Sequence, residues 1–220
     1  MRTGEVFALI WEDIDLENGI IYVKHSVYDK TKDDKGRWYL GSTKTIAGER
    51  IVYISPTLLF ALKNYKEKQK FLKEALGSEY TYYYLEDVKN KYGKVVEQRI
   101  VEKNDNDSEK ENLNLVFTKT NGKYVGTDLV RYPFEIIHKE LGIEKVRFYD
   151  LRGSYATKIL KTGVEIRDVA DMLGHKNIET TENYYVSSTS DSRKGATDAF
   201  DQMMQSDLIK EISEYQIFEY

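Results

Sequence analysis

The 220-residue sequence contains no cysteine. This absence excludes disulfide bonds, thiolate zinc sites and a cysteine nucleophile, so the chain suits a reducing compartment. The sequence also has no apolar run near the roughly 18 residues that a membrane-spanning helix needs, and acidic residues are scattered through its first twenty positions. We therefore expect neither a membrane segment nor a secretory signal, and we predict a cytoplasmic protein.

The chain also has no excess of positive charge, which on its face argues against a nucleic-acid partner. It carries 33 Lys and Arg against 37 Asp and Glu, a net charge of -4. Residues 191–220 hold three basic and seven acidic side chains, so the preceding 190 residues are neutral as a whole. Because a polyanion binds where basic side chains cluster, the total charge does not exclude DNA.

The apolar pattern predicts a mainly α fold of the α+β class with one small three-stranded antiparallel sheet. Ser55 and Pro56 are typical of an N-cap and a first helical residue, and the spacing that follows predicts a helix to about Leu76. Three β-rich runs predict the strands, at 20–28, 37–42 and 50–54. The other predicted helices lie at 2–12, 127–141, 150–162, 165–173, 179–187 and 195–213.

Two segments differ in composition from the rest. Residues 80–114 are rich in tyrosine and charge and include a loop-like sequence at 104–108, so we predict an insertion rather than part of the core. Residues 187–192 are rich in Ser, Thr and Asp and are typical of a linker. The acidic tail that follows has apolar side chains at helical spacing.

The carboxyl-terminal half places an arginine, a histidine and a phenol within a short stretch of chain. Gly174 is predicted to end the helix at 165–173, which leaves His175 at its carboxyl-terminal edge. The helix dipole there favours a protonated imidazole. Thr180 and Thr181 are predicted to cap the next helix, which carries two adjacent tyrosines.

Four sequence blocks occur in a fixed order along the chain. They are RTGE at 2–5 with WEDID at 11–15, Lys44 between predicted strands, DLR at 150–152, and LGH at 173–175 leading to a tyrosine. In these blocks the sequence resembles the catalytic domain of the tyrosine recombinases, the phage and transposon integrases. Each block alone is weak, and their order and spacing carry the resemblance.

The resemblance implies a site-specific recombinase that integrates or excises a mobile element by cleaving and rejoining double-stranded DNA. A tyrosine hydroxyl attacks a phosphodiester, giving a 3'-phosphotyrosyl link and a free 5'-hydroxyl, with neither metal nor cofactor. Arg2 and Arg152 match the phosphate-holding arginines, since guanidinium forks fit phosphate geometry. Lys44 matches the general acid on a β-hairpin turn, and His175 matches a hydrogen-bond donor to a phosphate oxygen.

The sequence departs from the family pattern at two positions. Tyr149 stands where the family usually has the histidine of a His-x-x-Arg pattern, and a phenol is a poor base near neutral pH. The nucleophile position is doubled, because Tyr184 and Tyr185 follow His175 by nine and ten residues. The Thr-Thr-x-x-x-Tyr form found in integrases of mobile elements favours Tyr185, and Tyr184 stays the alternative.

The resemblance also implies the domains and the partners. Residues 1–190 are interpreted as the catalytic domain. Residues 191–220 are a tail that either packs on its own domain as a final helix or, as often in the family, is exchanged between protomers of a tetramer on DNA. In the family, about two helices and a separate DNA-clasping domain precede the first arginine, so we expect both to be absent here. We expect a bacterial or phage-encoded protein associated with the nucleoid.

Two other interpretations stay open from the sequence. The chain could be a DNA-binding or self-associating fragment that is catalytically incompetent because its amino-terminal part is missing. Asp13, Asp15 and the acidic pair at 33–34 could indicate a metal-dependent nuclease, although acidic residues are ordinary in such turn-like sequence. His25 and His138 are interpreted as structural.

Overall fold

The computed structural model describes residues 1–30, 38–42, 48–143 and 146–186, apart from the side chains of 183–186. In chain order the elements are α1 (Thr3–Phe7), β1 (Ile14–Asp15), β2 (Ile20–Val23), β3 (His25–Asp29), β4 (Trp38–Ser42), β5 (Arg50–Tyr53), α2 (Pro56–Leu76), β6 (Tyr83–Lys89), β7 (Val95–Glu102), α3 (Arg131–Glu140), α4 (Asp150–Leu160), α5 (Ile166–Leu173) and α6 (Glu179–Val186). This arrangement confirms the α+β class. Within the described ranges, no helix combines the length and apolar character needed to cross a membrane.

The strands of the described residues form two antiparallel sheets, so the prediction of one sheet is corrected. The first sheet has the order β1-β2-β5, and the second has the order β3-β4-β7-β6. The predicted strand at 20–28 is divided at Lys24, which assigns β2 to the first sheet and β3 to the second. Val23 and Val27 accordingly belong to different buried cores. A local β pattern does not reveal where a strand changes partners, since that depends on tertiary packing.

The prediction that residues 80–114 lie outside the core is wrong. Strands β6 and β7 form a hairpin that joins the second sheet through β4, where Leu40 lies opposite Gln98. Tyr80 and Ile100 are buried. Tyrosine rings pack like other aromatic side chains while their hydroxyls stay polar, and this dual character concealed the buried face of the hairpin. That the segment is an insertion stays a prediction.

Helix α2 covers the first sheet, and its predicted bounds are confirmed. The Ser55 hydroxyl accepts a hydrogen bond from the Leu58 amide, and Pro56 is the first helical residue. Gln69, on the covered face, is buried and accepts a hydrogen bond from Trp11 Nε1 at 2.7 Å. Three partly buried α2 residues pack on the first core: Leu59, Leu62 and Tyr65.

Three short helices form the carboxyl-terminal part of the described chain. Helices α4 and α5 enclose a core of small and aliphatic side chains, and α6 contacts both helices. Their members in that core are Ala156, Leu160, Val169 and Leu173. The predicted helices at 150–162, 165–173 and 179–187 are thereby confirmed to within about two residues, whereas 127–141 divides into a 3₁₀ helix (Gly126–Val130) and α3. The predicted helix at 195–213 lies outside the described residues.

Candidate active site

Helix α1 lies close against β3, and Gly4 permits this approach. A Cβ atom at position 4 would lie 2.5 Å from Ser26 Oγ and 2.8 Å from the Val27 carbonyl oxygen, so a larger residue would force the two elements apart. Arg2 precedes the helix, and the Glu5 carboxylate accepts a hydrogen bond from the Arg2 backbone amide at 2.7 Å. The RTGE sequence thereby fixes Arg2 at the start of α1.

Glu5 holds two arginines side by side. Its side chain is 2% exposed, and its two oxygens accept hydrogen bonds from Arg2 Nη1 and Arg50 Nη2, each at 2.8 Å. Burial alone would raise the pKa of Glu5, but the hydrogen bonds from Arg50 and Arg2 outweigh it and lower the pKa to about 2. Glu5 is therefore a carboxylate at neutral pH and anchors both cations.

Arginine side chains converge on the carboxyl-terminal end of α5. Three successive carbonyl oxygens each accept one hydrogen bond there: Met172 from Arg50 Nε at 3.0 Å, Leu173 from Arg152 Nη2 at 2.6 Å, and Gly174 from Arg2 Nη2 at 3.2 Å. The last carbonyls of a helix lack partners within the helix and carry partial negative charge. The end of α5 therefore offsets part of the repulsion among the guanidinium groups. We call Arg2, Arg50 and Arg152 the arginine cluster.

Arg152 is the most deeply buried member of the arginine cluster. Arg152 is the third residue of α4. Its side chain is buried, and its Nε and Nη1 have no hydrogen-bond partner among the described residues. Burial lowers the pKa of Arg152 and repulsion from Arg2 adds to that effect, yet a guanidinium stays protonated in a protein. Buried donors without a partner are costly. A phosphodiester oxygen is an acceptor that either of these donors could bind.

His175 directly follows the residue that caps α5 and lies beside the arginine cluster. Gly174 adopts the left-handed conformation (φ 69°) and ends the helix, as predicted. The prediction of a protonated imidazole is wrong: burial, followed by the positive charges of Arg152, Arg2 and Arg50, lowers the pKa of His175 to about 4. The local helix dipole favours the imidazolium, but the arginines brought in by the fold outweigh it. The ring is therefore neutral at pH 7.

The threonines after His175 do not cap α6 as predicted. The helix begins at Glu179, and the Asn177 Oδ1 atom accepts a hydrogen bond from the Glu179 amide at 3.2 Å. Thr181 lies within the first turns of the helix and is fully buried. Its Oγ1 atom is 2.7 Å from His175 Nδ1. Asparagine is a stronger N-terminal capping residue than threonine, and Asn177 stands close enough to the helix start to take that role.

Tyr149 lies at the entrance to α4, next to the buried arginine. Its side chain is 43% exposed, and its carbonyl oxygen accepts a hydrogen bond from the Arg152 amide at 3.1 Å. The start of the helix is fixed by Asp150, which accepts hydrogen bonds from the amide and the guanidinium of Arg147. The Tyr149 side chain is thus partly exposed and interacts electrostatically with Arg152, and its role in catalysis stays a prediction.

The acidic residues near the amino terminus have structural contacts. Asp13 is buried and its carboxylate accepts a hydrogen bond from Lys24 Nζ at 2.5 Å. Asp15 accepts hydrogen bonds from the backbone amides of Glu17 and Asn18. Over the described ranges, no three His, Cys, Asp or Glu side chains are grouped as ligands of a metal ion would be. The acidic pair at 33–34 lies outside those ranges.

Lys44 and the side chains of Tyr184 and Tyr185 lie outside the described residues. Both tyrosines belong to α6, three and four residues after Thr181. The segment with Lys44 connects β4 to β5, which lie in different sheets. The predicted hairpin around Lys44 is therefore corrected to a connection between sheets, because β4 pairs with β3 and β7 instead of β5. The catalytic roles of these three residues stay predictions.

Comparison with known protein families decides what kind of site this is. The sequence model described as the Phage integrase family matches residues 1–191. The chain belongs to the phage integrase family. The resemblance drawn from the four sequence blocks is confirmed.

Relatives of this integrase-family chain include named recombinases. A tyrosine recombinase XerC-like protein of Caldanaerobacter subterraneus subsp. tengcongensis is 28% identical over 190 residues, which cover 84% of this chain and 42% of that protein. The prophage integrase IntR of Escherichia coli (strain K12) is 30% identical over 190 residues, 84% of this chain and 39% of that protein. The chain thus spans about two fifths of the length of these curated relatives.

Solved structures share the fold of this integrase-family chain. The Tn1549 transposon integrase, solved with a circular intermediate DNA, has a TM-score of 0.62 and 19% identity over 91% of this chain and 54% of its own. The XerA recombinase has a TM-score of 0.52 and 21% identity over 90% of this chain and 53% of its own. Identities this low establish the fold alone.

Two residues of this integrase-family site are missed by the sequence motifs. Arg50 is the first residue of strand β5, and like Arg2 it donates a hydrogen bond to the Glu5 carboxylate. Its sequence signal is only a basic residue at the start of a β-rich run. Thr181 contacts His175, and its signal is the second threonine of the Thr-Thr-x-x-x-Tyr form. Both residues act through contacts that only the fold creates.

The neutral state of His175 can be checked by titration. We expect ¹⁵N-detected NMR of the free protein to show His175 neutral from pH 8 to pH 5, with a pKa of about 4. The same residue in urea-unfolded protein should titrate near 6.5. The unfolded state therefore binds a proton first, so this histidine destabilises the fold as the pH falls from about 6.5 to about 4. A folded-state pKa at or above 6.5 would show that the helix dipole dominates.

Proposed function

We propose that this chain supplies the catalytic domain of a site-specific recombinase, which cleaves and rejoins double-stranded DNA through a 3'-phosphotyrosyl intermediate. The observation that carries the proposal is Arg152, a buried guanidinium with two donors that have no partner among the described residues. Arg2 and Arg50 add positive charge beside it. Membership of the phage integrase family and the similarity to named recombinases support the same assignment.

The proposed reaction exchanges one phosphate ester for another. The Tyr185 oxygen attacks phosphorus, its phenolic proton passes to water, and the bond from phosphorus to the 5'-oxygen breaks. The leaving oxygen takes a proton from the Lys44 ammonium, so a free 5'-hydroxyl is released. Negative charge builds on the non-bridging oxygens during this step, where Arg2 and Arg152 stabilise it. Attack by a second 5'-hydroxyl reverses the chemistry and joins the strands.

The proposed substrate and assembly follow from this reaction. DNA binding is supported by the Tn1549 transposon integrase, whose structure was solved with DNA. Integration or excision of a mobile element joins two duplexes, which needs several active sites, so we propose a tetramer on DNA. The apolar positions within residues 191–220 support exchange of this tail between protomers. Because the substrate is chromosomal or phage DNA, we place the protein in the bacterial cytoplasm, with the nucleoid.

Replacement of Tyr185 tests the proposed chemistry directly. With a suicide DNA substrate that loses a short fragment after cleavage, the chain should form a covalent protein–DNA adduct that survives denaturing electrophoresis. Tyr185→Phe should abolish the adduct, because it removes the attacking oxygen and keeps the ring. Tyr184→Phe is the matched control on the same helix and should retain the adduct. An adduct lost in Tyr184→Phe and retained in Tyr185→Phe would reverse the assignment of the nucleophile.

The same assay separates the alternative function. A catalytically incompetent fragment would shift DNA in a native gel, or associate with itself, without forming an adduct. A form of the chain extended at its amino terminus by any residues encoded upstream of Met1 would then also be tested. If neither the chain nor its extended form makes an adduct, the fragment interpretation replaces the enzyme. The described geometry favours the enzyme, because Arg152 is held in place within the present chain.

A further inference from the structure

The contact between His175 and Thr181 joins the arginine cluster to helix α6. The Thr181 Oγ1 atom lies 2.7 Å from His175 Nδ1, a normal hydrogen-bond distance. Thr181 is fully buried, whereas the neighbouring Thr180 is exposed. His175 precedes the first residue of α6 and Thr181 lies within that helix, so their hydrogen bond connects the turn after α5 to α6.

The buried hydroxyl of Thr181 needs an acceptor for its proton. A buried polar group without a partner is costly, so nearly all such groups are hydrogen-bonded. Among the described residues, the hydrogen-bond partner of the Thr181 hydroxyl is His175 Nδ1. A neutral imidazole accepts at one nitrogen and donates at the other. If the hydroxyl donates to Nδ1, the hydrogen of the ring is on Nε2.

We propose that Thr181 is a positioning residue that holds His175 in the tautomer with its hydrogen on Nε2. Because Nδ1 is engaged by Thr181, a phosphate that binds this ring does so at Nε2. A phosphate oxygen is an acceptor, so the Nε2–H tautomer attracts it and the opposite tautomer would direct a lone pair at it. The role in catalysis rests on the proposed function, whereas the tautomer itself is a property of the free protein.

The same hydrogen bond has a second consequence for the site. Tyr185 follows Thr181 by four residues, a rise of about 6 Å along α6. The contact with His175 therefore anchors the helix of the proposed nucleophile one turn before that nucleophile. Arg2 and Arg152 are hydrogen-bonded to the carbonyls of residues 173–174, and the helix of the proposed nucleophile is hydrogen-bonded to His175. The phosphate-binding arginines and the nucleophile helix are therefore held by one short segment of backbone.

Long-range ¹H–¹⁵N NMR of the whole chain tests the tautomer without DNA. The chain has three histidines, and a His175→Gln variant identifies the signals of this ring. At pH 7 we expect the pattern of a ring protonated at Nε2. Thr181→Val keeps the side-chain shape and removes the hydroxyl, so the shifts of the two ring nitrogens should move toward each other as both tautomers become populated. Thr181→Ser restores the hydroxyl and should restore the pattern.

The tautomer proposal is overturned if the wild-type ring carries its hydrogen on Nδ1, or if Thr181→Val leaves the wild-type pattern unchanged. Circular dichroism and thermal unfolding establish that each variant is folded before its spectrum is compared. These outcomes do not depend on whether the chain cleaves DNA.

Adduct formation at saturating DNA tests the catalytic consequence. We expect Thr181→Val to slow this step roughly threefold to tenfold, as the loss of one hydrogen bond implies, with DNA affinity within about twofold of wild type. Thr181→Ser should recover most of the rate. Equal slowing in both variants would overturn the role of the hydroxyl. If no chain forms an adduct, the proposed function fails, and the spectra still decide the tautomer.

Discussion

Arg152→Lys should slow adduct formation by roughly 10²- to 10³-fold, the effect of removing one donor that stabilises a developing oxyanion. Arg152 Nη2 donates a hydrogen bond to the Leu173 carbonyl, and Nε and Nη1, which have no partner among the described residues, can donate to a ligand. Lysine carries a single ammonium nitrogen, so it cannot bond the Leu173 carbonyl and also place donors where Nε and Nη1 of the guanidinium lie. The measurement is the single-turnover rate with saturating suicide substrate.

Arg167→Lys is the matched control for this substitution. Arg167 lies on α5 and is exposed, so the same chemical change removes no buried donor. Its rate should stay within about twofold of wild type. Thermal unfolding of both variants separates a loss of catalysis from a loss of structure. A rate for Arg152→Lys within threefold of wild type would mean that this guanidinium does not contact the reacting phosphate.

Local sequence signals predicted the elements whose limits are set by neighbouring residues. The bounds of α2 follow from Ser55 and Pro56 at one end and from the helical apolar spacing, which extends to about Leu76, at the other. The cap at Gly174 follows from glycine's access to the left-handed conformation. These features need no knowledge of the rest of the chain. The resemblance to the integrases added Arg2, Arg152 and His175, which the fold brings together.

Long-range contacts explain most of what the sequence left unpredicted. Arg50 is 45 residues from Glu5 and 122 from Met172, and both contacts define its place in the site. No periodicity within β5 distinguishes it from an ordinary strand arginine. The same reason explains the sheets, since the pairing of β4 with β7 joins segments that are separated by the whole of α2. A local pattern specifies a strand and leaves its partner open.

The protonation of His175 shows how tertiary structure reverses a local electrostatic argument. At the end of an isolated helix the dipole stabilises an imidazolium. In the folded chain the three carbonyls that supply this dipole's negative end are already occupied by arginines. What the ring then experiences is burial together with three positive charges, and both lower its pKa. The partial negative charge of the helix end interacts with the three arginines instead of with His175.

Glu5→Gln should lower the free energy of unfolding by about 3 kcal/mol, since it removes the counter-charge of a buried ion pair. Arg50 is only 7% exposed and Glu5 is 2% exposed, so neither is well compensated by water. For a chain of this length the loss corresponds to a fall in Tm of roughly 10 °C. Urea unfolding at pH 7, followed by circular dichroism, measures it.

The pH dependence of this difference identifies its cause. The pKa of Glu5 is about 2 in the folded state and near the ordinary value of 4.5 when unfolded, so its ionisation stabilises the fold fully above about pH 4.5. Wild type and Glu5→Gln should therefore converge as the pH falls from about 4.5 to about 2. Glu135→Gln is the control, because Glu135 pairs with Arg131 in solvent and should cost less than about 0.5 kcal/mol. Equal stability of wild type and Glu5→Gln at pH 7 would mean that the cost of burying the carboxylate cancels its attraction to Arg2 and Arg50.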